Sequence, residues 1–428
     1  MLIEATTQTT LGNVYILTED DDLHVGASVT LRCTYSDPDT HTGADAIIAW
    51  TGTHRITVDG TVYGEDEAIN LVGCVTAQTV VISATGKLYG GGDGVVTDAD
   101  GVILDGIGST LTNAGLINAW GSAASVIVPD AGAISISNSG TMYGRVSGVW
   151  HKFGNGVLNF TNTGRVESPN ASYLGGESTD NVTNSGQMIG VVDLGGGNDL
   201  YDGRLGRVTG SVLGGAGNDS FRAGNSADVF DGGDGYDTLI LSHVATALRI
   251  NLTTPSANSG AAVVGDSYTG IERILTGNGA DHLTGNGGAN RFDSGAGNDT
   301  LLGGAGDDVL SGGAGKDYLT GGAGADQFVF LTNAGNGDVI YDFNSAEDRI
   351  VLEASAFGYG EVTGVLSAAD FVMSTKNNAA RDASDHFIFR TTDATLWYDS
   401  DGYGLRAPVM IADLQAGATL TAAGILLI

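Results

Sequence analysis

The chain has 428 residues, with 18 lysine and arginine residues against 50 aspartate and glutamate residues, a formal net charge of −32 at pH 7. That sign excludes a nucleic-acid-binding protein and indicates cations as partners. Glycine, at 69 residues, exceeds its usual share, and a hydrophobic content of 42% excludes a disordered acidic tail because it can fill a core. No apolar run has the length of a membrane-spanning helix, so no transmembrane segment is expected.

The N-terminus, MLIEATTQTT, has neither a basic start nor a long apolar core, so we expect no Sec-type signal peptide. The two cysteines, Cys33 and Cys74, leave two interpretations open. They form a disulfide if the protein is exported, or they are two small buried side chains.

A unit of 22 to 29 residues recurs six times between about Ile56 and Gly190, and strand-forming residues dominate it. When the units are aligned on a shared glycine, the positions four before it and two after it are always apolar, which predicts that they point inward. These columns are Ile56, Ile82, Leu111, Ile136, Phe160 and Val182, and Val62, Leu88, Ile117, Met142, Val166 and Met188. A column of serine and threonine three residues before the glycine is expected to point outward.

Asparagine recurs two residues before the same glycine, at Asn113, Asn138, Asn162 and Asn184. We expect these amides to form a ladder of hydrogen bonds along the axis. The whole pattern predicts a right-handed parallel β-helix with strands about 4.8 Å apart. It resembles the β-helical repeats of bacterial autotransporter-like and surface proteins.

From Leu194 onward the period becomes nine residues, with one unit at Leu194–Asp202, three units in 214–240 and six in 276–329. Six adjacent near-matches to G-G-x-G-x-D-x-U-x resemble the nonapeptide of the RTX (repeats-in-toxin) family, whose parallel β-roll binds Ca²⁺. The pattern suits that chemistry, because glycines permit positive φ angles and expose carbonyls while aspartate adds a hard anionic oxygen. Nine residues make one turn and one strand, so alternate units should stack on the same side, and several calcium ions are expected.

The expected calcium ligands are the aspartates at the sixth position of each unit. They are Asp199, Asp219, Asp228, Asp237, Asp281, Asp299, Asp308, Asp317 and Asp326. Asn290 takes this position in one unit and should weaken that site, and Ser226 replaces a glycine before Asp228. Asp199 belongs to an isolated unit and could equally be a turn residue.

The region after Val329 loses the nine-residue rhythm. GNGDVIYDFNSAEDRIVLEAS, at Gly335–Ser355, is similar to the segment that caps β-rolls in serralysin-type secreted proteins. That resemblance implies a further cation at Asp342 and Asp348 together with Asp338, with plain strand-edge or turn roles as the alternative. The tail, LTAAGILLI, resembles those of type I secretion substrates, and a terminal strand has the same appearance.

The predicted fold is therefore all-β: a right-handed parallel β-helix continuing into a calcium-binding parallel β-roll with a C-terminal β cap. The domains are the β-helix at 1–192, RTX blocks at 193–240 and 276–329, inserted strands at 241–275, and a cap and secretion region at 330–428. Within the insertion, ALRINLTT and DSYTGIERIL are expected to form a hairpin or strand pair.

The motifs of two secreted enzyme classes are absent, since neither H-E-x-x-H nor G-x-S-x-G occurs. A β-helix enzyme acting on polysaccharide, a lyase or epimerase, remains the alternative; its candidate groups are Asp98, Asp100 and Asp105 with Lys87 or Arg145. Tyr63, Tyr89 and Tyr143 share one register and suggest a sugar-binding stack, although edge packing is the plainer interpretation.

The preferred interpretation has no catalytic site. We expect an extracellular, calcium-dependent structural or adhesive solenoid that is exported by type I machinery. It would self-associate into a surface layer, matrix or fibre, or bind cell-surface polysaccharide.

Overall fold

The computed structural model describes residues 1–11, 13–34, 44–91, 99–129, 132–224, 228–260, 262–333, 337–376, 380–402 and 404–428. It forms two compact units, Met1–Asp237 and Thr238–Ile428. The described residues contain strands and three short 3-10 helices, at Pro255–Ala257, Ala368–Asp370 and Ala422–Gly424. The predicted all-β class, with long parallel sheets, is confirmed. None of the helices in these ranges could cross a membrane.

The first unit is built from coils whose strands stack in parallel rows. Row A runs through the whole unit. Its strands are Leu2–Glu4, Asp22–Val25, Arg55–Val58, Thr79–Ile82, Thr110–Asn113, Ala133–Asn138, Val157–Asn162, Asp180–Asn184, Leu200–Asp202 and Ser220–Arg222. Two earlier coils, which the glycine alignment did not include, therefore precede the one at Ile56.

Two further rows complete the coils of the first unit. Row B comprises Gln8–Leu11, Thr30–Thr34, Thr61–Gly64, Lys87–Gly90, Leu116–Ala119, Thr141–Gly144, Arg165–Leu174, Gln187–Asp193, Arg207–Val208, Ser211–Ala216 and Val229–Asp234. Row C comprises Tyr15–Leu17, Ile47–Ala49, Ile69–Asn70, Val102–Asp105, Ala124–Ile127 and Ser147–Phe153. The long strand Arg165–Leu174 pairs with Thr141–Gly144 of row B and also with Ser147–Phe153, the last strand of row C. The coils therefore have three rows before this strand and two after it.

The core of these coils consists of the two predicted apolar columns. All twelve side chains are at most 1% exposed. The serine and threonine column lies on the outer face, half-buried or exposed. Inward positions alternate with outward ones because successive side chains of a strand point to opposite faces.

The predicted asparagine ladder is present inside the turn between rows A and B. Nδ2 of Asn113 donates to Oδ1 of Asn138 at 2.8 Å, Asn138 donates likewise to Asn162 at 2.8 Å, and Asn162 to Asn184 at 2.9 Å. Three of the four carbonyl oxygens also accept a backbone N–H two residues later in their own turn. Buried amides are satisfied in this way without water.

The second unit has two stacks of short parallel strands, as expected for a β-roll. One stack is Thr238–Ile240, Arg273–Leu275, Arg291–Asp293, Val309–Ser311, Gln327–Phe330, Arg349–Leu352 and Ile425–Leu427, with Gly364–Val365 antiparallel at its end. The other contains, in parallel, Arg249–Asn251, His282–Thr284, Thr300–Ala305, Tyr318–Ala323, Asp338–Ile340 and Val409–Leu414. Thr395–Tyr398 then pairs antiparallel with both Val409–Leu414 and Phe387–Arg390, and Phe371–Ser374 pairs in parallel with Phe387–Arg390. The apolar residue two places after each repeat aspartate is buried in these strands.

The inserted strands differ from the expected hairpin. Arg249–Asn251 pairs in parallel with His282–Thr284, whereas Arg273–Leu275 pairs with Thr238–Ile240 and Arg291–Asp293 in the other stack. A further short strand is Ser267–Thr269. The prediction of mutual pairing was wrong because each segment finds a partner in the roll, where its apolar residue is buried.

The C-terminal residues close the second unit. Phe357, Phe387 and Tyr398 pack together with ring centroids 5.0 to 5.8 Å apart, and the Tyr398 hydroxyl donates to the Phe357 carbonyl at 2.7 Å. The tail forms the strand Ile425–Leu427 beside Arg349–Leu352. The terminal-strand interpretation of the tail therefore holds, whatever its role in export.

Candidate calcium-binding site

The loops of the nonapeptides depend on glycine at their second and fourth positions. Gly313 and Gly315 have φ angles of +85° and +132°. A Cβ atom added at Gly315 would lie 1.5 Å from the carbonyl oxygen of Gly297, one coil earlier. Only glycine allows both the left-handed backbone and this close stacking of loops.

The glycine at the first position faces the repeat aspartate. A Cβ atom added at Gly312 would lie 2.1 Å from Oδ2 of Asp317, and one at Gly321 would lie 2.2 Å from Oδ2 of Asp326. The loop therefore leaves a small space beside each carboxylate that any side chain would fill.

The sixth-position aspartates form ladders of charge-assisted hydrogen bonds. In each rung, the backbone N–H of one residue donates to Oδ1 of the aspartate one coil later, at 2.7 to 2.9 Å. The accepting residues are Asp219, Asp237, Asp281, Asp299, Asp308, Asp317 and Asp326. Most partners are 18 residues apart, so alternate units do stack on the same side.

The second carboxylate oxygen of these residues is buried and has no hydrogen-bond donor within the described ranges. The residues concerned are Asp199, Asp219, Asp281, Asp299, Asp308, Asp317 and Asp326. A buried anionic oxygen without a partner is costly. Together with the neighbouring loop carbonyls it provides the hard oxygen donors that Ca²⁺ prefers, so these residues fit the ion. Bound calcium supplies the positive charge that compensates these buried carboxylates.

The electrostatics of the ladder agree with this interpretation. Burial first, and then the neighbouring carboxylates, raise the pKa of Asp199 to about 8, of Asp308 to about 7 and of Asp299 to about 6. Without a cation, the charged form of each aspartate is therefore disfavoured in the folded chain.

The C-terminal aspartates end the ladders of the second unit. Asp338 accepts the N–H of Asp317 at 2.9 Å, and Asp348 accepts the N–H of Asp326 at 2.9 Å. Asp342 instead accepts the N–H groups of Gly321 and Gly322, at 2.9 and 2.8 Å. Asp338 and Asp348 thus take the place of repeat aspartates, whereas Asp342 braces a loop; a cation at any of them stays a prediction.

Two predicted irregularities have different outcomes. Asn290 keeps its place in the ladder, since its N–H donates to Asp308, but its Oδ1 accepts the N–H of Asn286 in its own loop at 2.9 Å. The ladder on that side therefore starts at Asn290. Asp228 is buried, but Ser226 and the loop 225–227 lie outside the described residues.

One acidic cluster was missed by the sequence analysis. Carboxylate oxygens of Asp45, Asp66 and Glu67 lie within 4.8 Å of one another. Burial, followed by the hydrogen bond to Asp45, raises the pKa of Glu67 far above its ordinary value. The signal in the sequence was an acidic residue two positions before three successive row C strands, at Asp45, Glu67 and Asp100.

Two of the candidates for an enzyme active site accept hydrogen bonds from the backbone. Oδ1 of Asp100 accepts the N–H of Ser122 at 2.7 Å, and Asp105 accepts the N–H groups of Gly73 and Gly106. Asp98 lies outside the described residues. These carboxylates therefore brace turns.

The cysteines and tyrosines also have defined environments. Cys33 and Cys74 are separate buried thiols, so the interpretation as two small core residues holds. The rings of Tyr63 and Tyr89 stack at 4.6 Å, but Asn118 lies between Tyr89 and Tyr143 in the register. The predicted stack therefore contains two tyrosines rather than three.

Comparisons with known proteins bear on the repeats. No curated protein matches the chain. A solved structure, the solution structure of the AlgE6R3 subunit from the Azotobacter vinelandii mannuronan C5-epimerase, is 29% identical over 34% of this chain and 76% of its own, with a TM-score of 0.24. At that TM-score the likeness supports no conclusion about this chain.

The family match is more informative. The RTX calcium-binding nonapeptide repeat, in four copies, matches residues 211–239, 266–301 and 294–328. These segments contain the glycine loops and most of the aspartate ladders described above. The chain therefore carries RTX calcium-binding repeats, and its cofactor is Ca²⁺.

Proposed function

We propose that this protein is an extracellular, calcium-dependent structural or adhesive β-solenoid that assembles into a surface layer, matrix or fibre. The observation that carries the proposal is the buried second carboxylate oxygen of the seven repeat aspartates named above, for which the described residues supply no donor. Extracellular calcium modules typically bind at about 10⁻⁴–10⁻³ M. The ion then contributes folding free energy only where calcium is plentiful, which supports export by the type I route before folding.

Self-association is supported by the first strands of the first unit. Leu2–Glu4, Gln8–Leu11 and Tyr15–Leu17 each have one paired neighbour among the described strands. Leu2 is 63% exposed and Ile16 is 54% exposed. Exposed apolar side chains on short strands readily contact another chain, so this part of the first unit favours association with a second copy.

Light scattering and electron microscopy in millimolar Ca²⁺, and again with chelator, test the proposal. We expect ordered assemblies in calcium and their loss on chelation. Ile16→Lys places a charge among these exposed apolar side chains and should prevent assembly. Val75→Lys is the matched control, because Val75 is 79% exposed and lies outside these strands. A monodisperse wild-type protein in calcium would contradict the assembly role.

Polysaccharide binding is a second candidate, favoured by a cleft on the outer face of row B. Asn118, Trp120, Tyr143 and Arg145 line this cleft of about 350 Å³, which lies within the usual size range of ligand sites. The Arg145 guanidinium lies 4.3 Å from the centre of the Trp120 ring. Aromatic faces pack against sugar rings, and a cation in so acidic a chain favours a sugar that carries a carboxylate.

A carbohydrate-active enzyme is the weaker alternative. It requires an acid and a base in one groove, whereas Asp100 and Asp105 each accept hydrogen bonds from backbone N–H groups. Depolymerisation of an acidic polysaccharide by the purified, calcium-loaded protein would overturn this ranking.

A further inference from the structure

A segment of the β-helix just before the first RTX unit has part of the nonapeptide pattern. Residues 175–183 read GGESTDNVT, with glycine at the first two positions, Asp180 at the sixth and Val182 at the eighth. Ser178 replaces the fourth glycine. The segment lies outside the residues matched by the RTX family, and its spacing follows the longer period of the β-helix.

The structure stacks this segment on the first RTX loop in the register of the repeats. The N–H of Asp180 donates to Oδ1 of Asp199 at 2.7 Å. An equivalent hydrogen bond joins the N–H of Asp199 to Oδ1 of Asp219. A Cβ atom added at Gly195 would lie 2.2 Å from the Gly176 carbonyl oxygen. The corresponding approach of Gly215 to the Gly195 carbonyl oxygen is 1.8 Å.

A donor-free oxygen lies at this step of the ladder. Asp199 is 2% exposed, and its Oδ2 atom is buried without a hydrogen-bond partner in the described residues. Gly175 leaves space beside Asp180, since an added Cβ atom would lie 2.8 Å from Oδ2 of Asp180. The loops at Gly175–Asp180 and Gly195–Asp199 thus stack as two successive RTX loops do, with the difference that Oδ2 of Asp180 accepts the N–H of Gly176 at 3.4 Å.

His151 closes the ladder at its N-terminal end. Its Nδ1 atom lies 2.7 Å from Oδ1 of Asp180, and both side chains are fully buried. In the later coils this carboxylate oxygen accepts the N–H of the preceding aspartate. The imidazole takes the place of that N–H, so Asp180 is the first carboxylate of the stack.

We propose that the loops Gly175–Asp180 and Gly195–Asp199 hold a calcium ion, the first of the series in this unit. Its donors are carboxylate and carbonyl oxygens, the set that suits Ca²⁺. The ion joins the last loop of the β-helix to the first RTX loop. Calcium therefore orders the end of the β-helix as well as the repeats. This inference rests on calcium binding by the repeats and is independent of assembly.

Native mass spectrometry of the full chain in Ca²⁺ tests the site by counting bound ions. Asp180→Asn should hold one ion fewer than the wild type. Glu361→Gln, at an exposed residue outside both loops, removes the same charge and should hold the full number. An unchanged count for Asp180→Asn overturns the proposal, and so does a loss of one ion in both variants, which would assign the effect to net charge.

A crystal structure of the calcium-loaded wild-type protein provides a test that does not depend on the folding of a variant. We expect anomalous density for calcium between the two loops. Density between the later loops without density here would overturn this site and leave calcium binding by the repeats intact. An absence of calcium at every loop would contradict the wider interpretation.

Discussion

The backbone N–H of Asp299 donates to Oδ1 of Asp317, 18 residues later, at 2.8 Å, while Oδ2 of each carboxylate is buried without a donor. One oxygen therefore joins the coils and the other is available to a cation. Because the two oxygens have different roles, substitutions can separate the contribution of the ladder from that of the metal site.

Asp317→Asn should weaken calcium binding while keeping the ladder. The amide oxygen still accepts the N–H of Asp299, but the negative charge is lost, and calcium affinity depends on ligand charge. We expect a loss of roughly tenfold in affinity for the affected ions, about 1.4 kcal/mol, measured by isothermal titration calorimetry. Asp307→Asn is the control: it is exposed, and Asn298 occupies the equivalent position in another loop, where it makes the same contact. Equal losses in both variants would contradict a specific ligand role for Asp317.

Gly312→Ala should block one site by steric contact. The added methyl group would lie 2.1 Å from Oδ2 of Asp317, whereas at Gly287 it would meet nothing within 4 Å. We therefore expect Gly312→Ala to bind fewer ions and to lose about 2 kcal/mol or more of stability in calcium. Gly287→Ala should differ from wild type by less than about 0.5 kcal/mol. Calcium-dependent thermal unfolding, followed by circular dichroism, compares the two variants. Similar melting of both would contradict a calcium site in the space beside Oδ2 of Asp317.

The effect of pH on stability should reverse with calcium. The folded pKa values of about 6 for Asp299, about 7 for Asp308 and about 8 for Asp199 exceed the ordinary aspartate value of about 3.9. The calcium-free folded state therefore binds more protons than the unfolded state between those values, and its stability should fall as the pH rises from about 4 to 8.

In saturating calcium, protons and the ion compete for the same oxygens, so stability should instead fall as the pH is lowered. Unfolding midpoints between pH 5 and 8, in calcium-free and calcium-containing buffer, measure both slopes. A calcium-free midpoint that increases with pH would count against burial of these carboxylates.

Asn138→Ala should destabilise the β-helix with no direct effect on calcium binding. It removes the middle of the amide ladder and leaves the buried Nδ2 of Asn113 and Oδ1 of Asn162 without this partner. The expected loss is about 1–3 kcal/mol, measured by urea unfolding in calcium. The neighbouring outward residue provides the control, since Ser137→Ala should change stability by less than about 0.5 kcal/mol. An unaffected Asn138→Ala would show that the ladder contributes no net stability.

Trp120→Ala and Arg145→Gln should each weaken binding of an oligouronate to the row B cleft, by roughly fivefold or more, if the second candidate function is correct. Calorimetry with oligouronate and with a neutral oligosaccharide measures both affinity and charge preference. Trp50→Ala removes a tryptophan that is 52% exposed outside the cleft and should bind normally. If the wild-type protein fails to bind the oligouronate, this function is excluded.

Much of the candidate site could be predicted from the sequence because its determinants are local. The positive φ angles at the second and fourth repeat positions require glycine, and the nine-residue period places alternate aspartates on one side. The apolar columns and the asparagine ladder follow for the same reason, since a regular coil repeats each position in space.

The pairing of the inserted strands could not be predicted in this way. Arg249–Asn251 and Arg273–Leu275 carry no period that specifies a partner. Their neighbours are set by which sheet edge can bury their apolar side chains, and this is a long-range choice.

The sequence by itself determined the repeating coil, the buried columns and the calcium-binding loops, because a periodic chain imposes the same short-range geometry at every turn. Only the tertiary structure decided where the ladders begin and end. Asp180, Asp338 and Asp348 join them from segments that lack the full repeat, and His151 closes one of them. The physical reason is that a buried carboxylate is satisfied by whichever donor the stacking of coils brings within reach, and that distance is absent from the order of residues along the chain.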